Sequence, residues 1–260
     1  MKRFFYNIKK YYKYAVRSAK AELKSEVADS YLNWLWWVIE PFCFMLIYVF
    51  VFGYIFKHNE PYYASFIYIG LTIWQFFNRM ITGSIKIIAG NRDLVTKVYI
   101  PKYILLLSKS FTFLFKFFIS FLITFVLMLF QGVPITWHII LIIPVFIVLY
   151  IISFGFGMIL MNYGVKFSDL ANFANIGLRM LFYLSGIFYN LRTKIGGSIS
   201  FFLLRFNPAA FLIDEARKCM LEGKLVSFEG LLFWLIIGIV LCMIGVKIIH
   251  KNENTYAKVI

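Results

Sequence analysis

Long apolar stretches alternate with short polar ones along this chain. A helix that crosses a hydrocarbon core of about 30 Å needs about 20 apolar residues. Six runs reach that length, and they lie at residues 31–56, 64–88, 103–130, 137–163, 169–190 and 229–249. The runs lack the polar–apolar alternation of barrel strands. The pattern therefore predicts an all-α integral membrane protein with six transmembrane helices.

A shorter apolar stretch, "ISFFLLRFNPAAFLI" at 199–213, lies between the last two runs and is interrupted by "FNP". Asn207 suits the N-cap of a helix and Pro208 its first position, while Gly223 suits its end. We therefore expect two short half-helices over 196–223. They are predicted either to re-enter the outer leaflet, covered by protein, or to lie on the surface as an amphipathic pair.

The first 30 residues carry an apolar stripe at helical spacing, bordered by lysines and one arginine. The stripe consists of Phe4, Ile8, Tyr12, Val16, Ala19 and Leu23. This pattern predicts a cytoplasmic amphipathic interface helix over 1–30, followed by a single transmembrane domain over 31–260. The helix is expected either to serve as a plain anchor or to cradle a cytoplasmic partner as well.

The stretch "AGNRDLVTKVYIPKYILLLSK" at 89–109 separates the second and third runs. Asn91 can cap a short helix, and Pro101 both ends it and starts the next span. The apolar residues of that helix are Leu94, Val95, Val98 and Tyr99. A short amphipathic helix over 91–100 is predicted as a docking element; the alternative is a structured turn whose lysines reach the membrane surface.

Composition and charge narrow the class of protein. With 62% hydrophobic and 15% charged residues and a mean hydropathy of +0.79, a water-soluble globule is excluded. The net charge of +15 comes mainly from Lys and Arg beside the spans, which favours anionic lipid rather than nucleic acid as the partner. Their distribution predicts that both termini are cytoplasmic. The three cysteines lack metal-type spacing, so no metal site is expected.

Charged side chains inside predicted spans are costly and normally face the protein interior. They are Glu40, Arg79, Lys109, Lys116 and Arg179. A short connection joins the first two spans, so we expect Glu40 to pair with Arg79 and leave Arg179 free. Lys109 and Lys116 are seven residues apart and line one side of the third span. Lys109 is expected to reach the cytoplasmic surface or, with Lys116, to meet an anionic substrate.

Four stretches resemble the membrane subunit of type-2 ABC exporters for cell-surface polysaccharides, a group that includes the O-antigen, capsule and wall teichoic acid exporters. They are "YLNWLWWVIEP" (31–41), "NRDLVTKVYIPKYILLLS" (91–108), "FSDLANFANIGLRMLFYLSGIFY" (167–189) and "FNPAAFLIDEARKCMLEG" (206–223). The order and spacing of these stretches carry the resemblance. It implies a transport subunit rather than an enzyme, located in the bacterial cytoplasmic (inner) membrane.

The resemblance further implies a homodimer that binds two copies of a cytoplasmic ABC ATPase in the groove between the N-terminal helix and the 91–100 coupling helix. The coupling contacts would be made by Arg92, Leu94, Lys97, Val98 and Tyr99. ATP and magnesium would bind the partner, since this sequence has no G-x-x-x-x-G-K-[ST] motif, and no cofactor is expected in this chain. The 196–223 half-helices, with Asn207 and Pro208 between them, would form an outer gate.

The implied substrate is a lipid-linked glycopolymer moved outward. Flat aromatic faces stack on sugar rings without fixing one register, and the residues expected to line such a channel are Trp34, Trp37, Phe182, Tyr183, Phe188 and Tyr189. Aromatic residues also form interfacial belts, which is the alternative for each of them. Other possibilities are export of another lipid or drug-like substrate and, less favoured without a His or paired-carboxylate constellation, a membrane enzyme acting on lipid-linked sugars.

Overall fold

The computed structural model describes residues 2–28, 33–56, 60–195, 197–253 and 256 of this chain. Every regular element in these ranges is helical. The end residues of the predicted 1–30 helix, the first residues of the 31–56 run, residue 196 of the half-helix range and residues 257–260 lie outside them.

Twelve α-helices follow one another along the described chain. They are α1 (Lys2–Ala28), α2 (Trp36–Tyr48), α3 (Tyr63–Ile85), α4 (Ile87–Gly90), α5 (Arg92–Lys97), α6 (Lys102–Phe130), α7 (Ile142–Lys166), α8 (Leu170–Leu184), α9 (Leu191–Lys194), α10 (Gly197–Phe206), α11 (Pro208–Met220) and α12 (Phe228–Asn252). Short 3₁₀ turns at Asn33–Leu35 and Trp137–Leu141 precede α2 and α7, and a π-helical segment, Val49–Ile55, extends α2.

Four of the described helical segments are long and apolar enough to cross a membrane, which makes this a multi-pass membrane protein. They are Trp36–Ile55, Lys102–Phe130, Trp137–Lys166 and Phe228–Asn252. Gln75, Asn78 and Arg79 lower the mean hydropathy of α3, the predicted second span. The predicted fifth span, 169–190, is helical only over the 15 residues of α8, which extend about 22 Å.

The helix α3 lies at the centre of the bundle, and most of its side chains are buried. It contacts α2, α6, α7, α8 and α11. The start of α3 lies against α11, whereas α4 and α5 follow its end, so these elements occupy opposite ends of a helix about 35 Å long. We call these two ends of the molecule the α11 end and the α5 end.

Small residues bring α7 and α12 close together. A Cβ atom on Gly155 would lie 2.8 Å from Leu241 Cβ, and one on Gly245 would lie 2.6 Å from Met158 Cβ. Both distances are too short for real carbon atoms, so the contact requires glycine at these positions. Small residues at helix interfaces allow this kind of close packing in membrane proteins.

The helix α1 lies along the first half of α6. The Phe4 ring packs on Tyr103, with 4.9 Å between centroids, and the Ser108 hydroxyl donates to the Ala15 carbonyl at 3.1 Å. Ala15 and Ala19, on the side of α1 that lies along α6, are buried. The apolar stripe predicted for the N-terminal helix is therefore partly occupied by another helix of the same chain.

The helices α10 and α11 are the two short helices that the sequence predicts, and Asn207 separates them. Its side-chain oxygen accepts hydrogen bonds from the backbone N–H groups of Ala209 (3.1 Å) and Ala210 (3.3 Å). The N-cap prediction is confirmed, with Pro208 at the first helical position. The Asn207 amide also donates to the Ser185 hydroxyl at 3.0 Å, which links α11 to the end of α8.

Arg217 holds the α11 end together. Its side chain is buried, and its guanidinium donates to the carbonyl oxygens of Phe66 (3.1 Å), Gly186 (2.7 Å) and Ile187 (2.7 Å). Phe66 belongs to α3, and the other two residues form the turn that follows α8. Sequence analysis did not identify this role of Arg217, because its acceptors are backbone groups, two of them about 30 residues away and one about 150 residues away.

The helix predicted over 91–100 is shorter in the structure. It covers Arg92–Lys97 only, and Val98 has extended backbone angles (φ −130°, ψ 132°). Residues 98–100 are not helical, and proline disfavours helical geometry in Ile100, the residue directly before Pro101. Asn91 does not cap the helix as expected; its amide donates instead to the Ile87 carbonyl at 2.8 Å.

Replacement of Arg217 by Met should lower the free energy of unfolding by about 2–4 kcal/mol, because buried carbonyl groups lose their donor. The measurement is thermal unfolding of the purified protein in detergent. The matched control is Arg205→Met on α10, whose side chain is exposed. Equal melting temperatures for the two variants would contradict the role assigned to Arg217.

Candidate functional site

A groove of about 520 Å³ opens between α3 and α8. It is lined by Trp74, Asn78, Asn175, Leu178, Arg179, Phe182 and Tyr183. This lining combines one cation, two amides and three aromatic rings. Such a set can bind a polar ligand through hydrogen bonds while flat faces support its rings.

Arg79 on α3 and Arg179 on α8 differ in their surroundings. Arg79 Nη2 lies 3.9 Å from Glu40 Oε2, the partner that sequence analysis expected. Within the described ranges, no Asp or Glu oxygen lies within 4.0 Å of the Arg179 guanidinium. Arg179 therefore presents an uncompensated positive charge to the groove, where it can meet an anionic group.

Aromatic rings from both helices form the wall of the groove. The rings of Trp74 and Phe182 are 5.5 Å apart, and Tyr183 packs edge-on against Phe182 at 5.3 Å. The Tyr189 hydroxyl donates to the Tyr183 carbonyl at 2.8 Å and so fixes the turn beside the groove. Sequence analysis missed Trp74, Asn78 and Asn175. Trp74 and Asn78 are one helical turn apart and share a face of α3.

Two of the predicted channel-lining residues lie on α2 and the turn before it. Trp34 is exposed. Trp37 packs edge-on against Phe115 at 5.9 Å, and the Lys116 ammonium lies 5.4 Å from its ring centroid. Trp37 therefore joins α2 to α6 within this subunit and does not line the groove between α3 and α8.

Phe188 was predicted to line a channel, but its side chain is only 2% exposed. Its ring stacks on Phe52 at 4.5 Å and contacts Tyr48 at 4.6 Å and Phe182 at 5.3 Å. In this conformation it belongs to the aromatic core that supports the groove. The tight turn after α8 directs it inward, an effect that the sequence pattern does not reveal.

The lysines of α6 are not a free positive surface. Lys109 forms an ion pair with Glu22, which also accepts a hydrogen bond from Thr112 at 3.0 Å, and Lys116 forms an ion pair with Glu26. Both carboxylates come from α1. The positive charges of Lys109 and Lys116, predicted to line one side of the third span, are therefore neutralised by carboxylates of α1. The two lysines join two helices instead of facing an open site.

A second groove, of about 700 Å³, lies at the α5 end between α1, α6 and the region where α3 meets α4. It is lined by Ser18, Ala21, Glu22, Ser25, Thr82, Gly83, Lys86, Ile87, Gly90, Asn91, Leu105, Ser108 and Lys109. The resemblance to a known family led us to expect a cytoplasmic partner between the N-terminal helix and the 91–100 helix, and of that predicted helix Asn91 lines this groove.

The predicted coupling residues differ in exposure. Val98 and Tyr99 are 49% and 62% exposed, and Arg92 and Lys97 are exposed as well. Leu94 is half-buried and packs toward the core, so it offers less surface than the others. The exposed set combines apolar and basic side chains, a mixture that suits a protein partner with an apolar groove and acidic rim.

A third cavity, of about 540 Å³, lies among α9, α10, α11 and α12. Several charged side chains in this cavity form ion pairs or hydrogen bonds with other residues of the chain. Arg192 Nη2 lies 2.9 Å from Asp214 Oδ2, and the Glu215 carboxylate accepts from the Ser227 backbone N–H at 2.6 Å and pairs with Lys218. These bonds fix the connection between α9, α11 and α12 at the α11 end.

Comparison with known proteins gives a family and several relatives. The model of the family described as "ABC-2 type transporter" matches residues 17–221. An O-antigen export system permease protein, RfbA, of Myxococcus xanthus is 28% identical over 91% of each chain. An RfbA protein of Klebsiella pneumoniae is 26% identical over 98% of each chain. The polysialic acid transport protein KpsM of Escherichia coli is 23% identical over 90% of this chain and 91% of its own.

Replacement of Glu22 by Gln should lower the free energy of unfolding by about 1–3 kcal/mol, because Lys109 then lacks its countercharge in a half-buried contact. Thermal unfolding in detergent measures the change. Lys20→Gln, at an exposed position on the same helix, is the control. Exchanging the two charges in a Glu22→Lys and Lys109→Glu double variant should recover part of the loss, and a larger loss in that variant would contradict the pairing.

Proposed function

We propose that this chain, which belongs to the ABC-2 type transporter membrane family, is the permease subunit of an ATP-driven exporter. Its cargo would be a lipid-linked surface glycopolymer that moves outward across the cytoplasmic membrane. The observation that carries the proposal is the groove between α3 and α8, which offers one free arginine, two amides and three aromatic rings. The names of the relatives, which export O-antigen or polysialic acid, support the same class of cargo.

In the proposed topology, six segments span the inner membrane of a bacterium and both termini are cytoplasmic. The spans would be α2 with its π-helical extension, α3, α6, α7, α8 with the turn after it, and α12. The polar α3 could cross because neighbouring helices bury most of its side chains, and the exposed Asn175 and Arg179 of the short α8 would face the groove. The helices α10 and α11 would re-enter from the outer side, where Arg217 and Asn207 supply bonds to backbone and side-chain groups that lipid cannot provide.

We further propose that two copies of the chain form a homodimer and bind two copies of a cytoplasmic ABC ATPase. The ATPase would bind ATP and magnesium and contact Arg92, Lys97, Val98 and Tyr99 at the α5 end. The exposure of these side chains and the 700 Å³ groove beside α1 support this site. Leu94 would contribute mainly by keeping α5 attached to the core.

Cargo would bind the α3–α8 groove through three kinds of contact. The Arg179 guanidinium can form paired hydrogen bonds to a phosphate or carboxylate oxygen pair. The amides of Asn78 and Asn175 can donate to and accept from sugar hydroxyls. Trp74, Phe182 and Tyr183 provide flat faces for sugar rings, and Trp34 and Tyr189 would extend this surface. Since each contact is weak, the chain of sugars can move from one to the next.

Force from the ATPase would reach this groove through α3. The helix α5 is joined to α3 only through the short α4, and α3 forms one wall of the groove. The opposite end of α3 is held by Arg217 at the Phe66 carbonyl. A displacement of α5 would therefore tilt α3 against α8 and change the width of the groove.

An outer gate would lie at the α11 end, where Asn207 and Pro208 at the start of α11 would form part of it.

Replacement of Arg179 by Ala should leave folding intact and lower polymer export about tenfold or more, because a charge-assisted contact to the cargo is lost. Export is measured as surface polymer in cells that depend on this permease. Arg179→Lys keeps the charge and should retain part of the activity. Normal polymer export by Arg179→Ala would contradict the proposed cargo site. A different lipid or drug-like substrate would be favoured only if the wild-type permease exported no polymer.

Replacement of Val98 by Asp should abolish the stimulation of ATP hydrolysis by the permease, because a carboxylate would be buried in the apolar contact with the ATPase. Val98→Thr, of nearly equal size and uncharged, is the matched control and should lose far less. The assay is ATP hydrolysis by the reconstituted complex. The docking site is misplaced if the Asp variant assembles and hydrolyses ATP normally.

A further inference from the structure

Three distant parts of the chain meet at the α5 end. Arg3 Nη2 donates to the Tyr99 hydroxyl at 2.6 Å and to Glu253 Oε2 at 3.2 Å, and the Tyr99 hydroxyl donates to Glu253 Oε1 at 2.9 Å. Each side chain therefore bonds to both of the others. Arg3 lies in the first turn of α1, Tyr99 between α5 and α6, and Glu253 directly after α12. We call this set the terminal junction.

Two further layers of contacts hold the ends of the chain in place around the terminal junction. The Asn7 amide donates to the Tyr103 hydroxyl at 2.8 Å, which fixes the start of α1 on α6. The side chains of Asn252 and Tyr256 both donate to Asn162 Oδ1 at 2.8 Å, which fixes the end of α12 on α7. Arg3 and Glu253 thus extend from anchored segments.

The α5 segment has little structure that could hold it in place by itself. It is a helix of six residues, Asn91 does not cap it, and Val95 is its only buried side chain among the described residues. Helices this short are unstable without tertiary contacts. Two residues after α5, the Tyr99 hydroxyl is held by the terminal junction, although the Tyr99 side chain as a whole is 62% exposed. The bonds of Tyr99 therefore add to the contacts of Leu94, Val95 and Ile100 with the core in holding this segment.

We propose that the terminal junction positions the coupling segment, so that Glu253 and Arg3 control the transmission between ATP hydrolysis and export by acting through Tyr99. This inference rests on the proposed function. Glu253 is a positioning residue, because it would act without touching cargo or nucleotide. The hydrogen bond to Glu253 raises the pKa of Tyr99, as expected for a hydroxyl that must keep its proton to donate to a carboxylate.

The first experiment needs only the purified permease, so it does not depend on the ATPase. Glu253→Gln and, separately, Tyr99→Phe should increase amide hydrogen exchange over residues 92–99 about tenfold, because a bond to a charged group is weakened or lost. Lys251→Gln, at an exposed position in the last turn of α12, is the control and should leave exchange unchanged. Unchanged exchange in both junction variants, or an equal increase in the control, would overturn the proposal.

The second experiment measures polymer exported per ATP hydrolysed in the reconstituted complex. Glu253→Gln should lower this ratio while the ATPase still co-purifies with the permease. An Arg3→Glu and Glu253→Arg double variant should recover part of it, because the Tyr99 hydroxyl can donate to the new carboxylate and accept from the new guanidinium. A ratio that is normal in the single variant, or as low in the double variant as in the single one, would overturn the coupling role.

The two experiments separate this inference from the proposed function. If the wild-type permease neither binds an ATPase nor exports polymer, the proposed function fails, whatever the exchange data show. If the wild-type complex exports polymer and the junction variants show normal exchange and a normal ratio, the positioning role fails and the proposed function stands.

Discussion

The hydrogen bonds of Arg217 hold together the end of the molecule on which the groove depends. A buried guanidinium with five donors can bind several acceptors at once, and here the described acceptors are backbone carbonyl oxygens of α3 and of the turn after α8. These bonds fix the distance between α3 and the end of α8. Since those two helices form the walls of the groove, its shape follows from the position of one side chain on α11.

Ion pairs between partly exposed side chains also organise the α5 end. The carboxylates of Glu22 and Glu26 neutralise Lys109 and Lys116, and in doing so they attach α1 to α6. Glu253 compensates Arg3 and binds Tyr99. The N-terminal helix is thus joined to the bundle by ion pairs as well as by apolar contacts, which places it beside the groove proposed for the ATPase.

Arg179 differs from these paired charges, because no described carboxylate serves as its countercharge. Glu40 lies 3.9 Å from Arg79, and Lys109 and Lys116 have partners on α1, but no described carboxylate oxygen lies within 4.0 Å of Arg179. An unpaired cation in a groove lined with amides and aromatic rings is the feature expected of a surface that binds an anionic glycan, because the ligand then supplies the missing charge. One relative is named for O-antigen export and another for polysialic acid transport.

The sequence by itself determined that the protein is helical, that it is a membrane protein and which family it belongs to. It also determined local features such as a helix cap. The apolar runs, the Asn207–Pro208 cap and the expected contact of Glu40 with Arg79 depend on residues that are close in sequence or on adjacent spans, so spacing was sufficient to predict them. Only the tertiary structure decided the roles of Arg217, Phe188, Lys109 and Glu253. Their partners lie far away in sequence, and several are backbone carbonyls that any residue supplies, so no residue pattern along the chain could identify them.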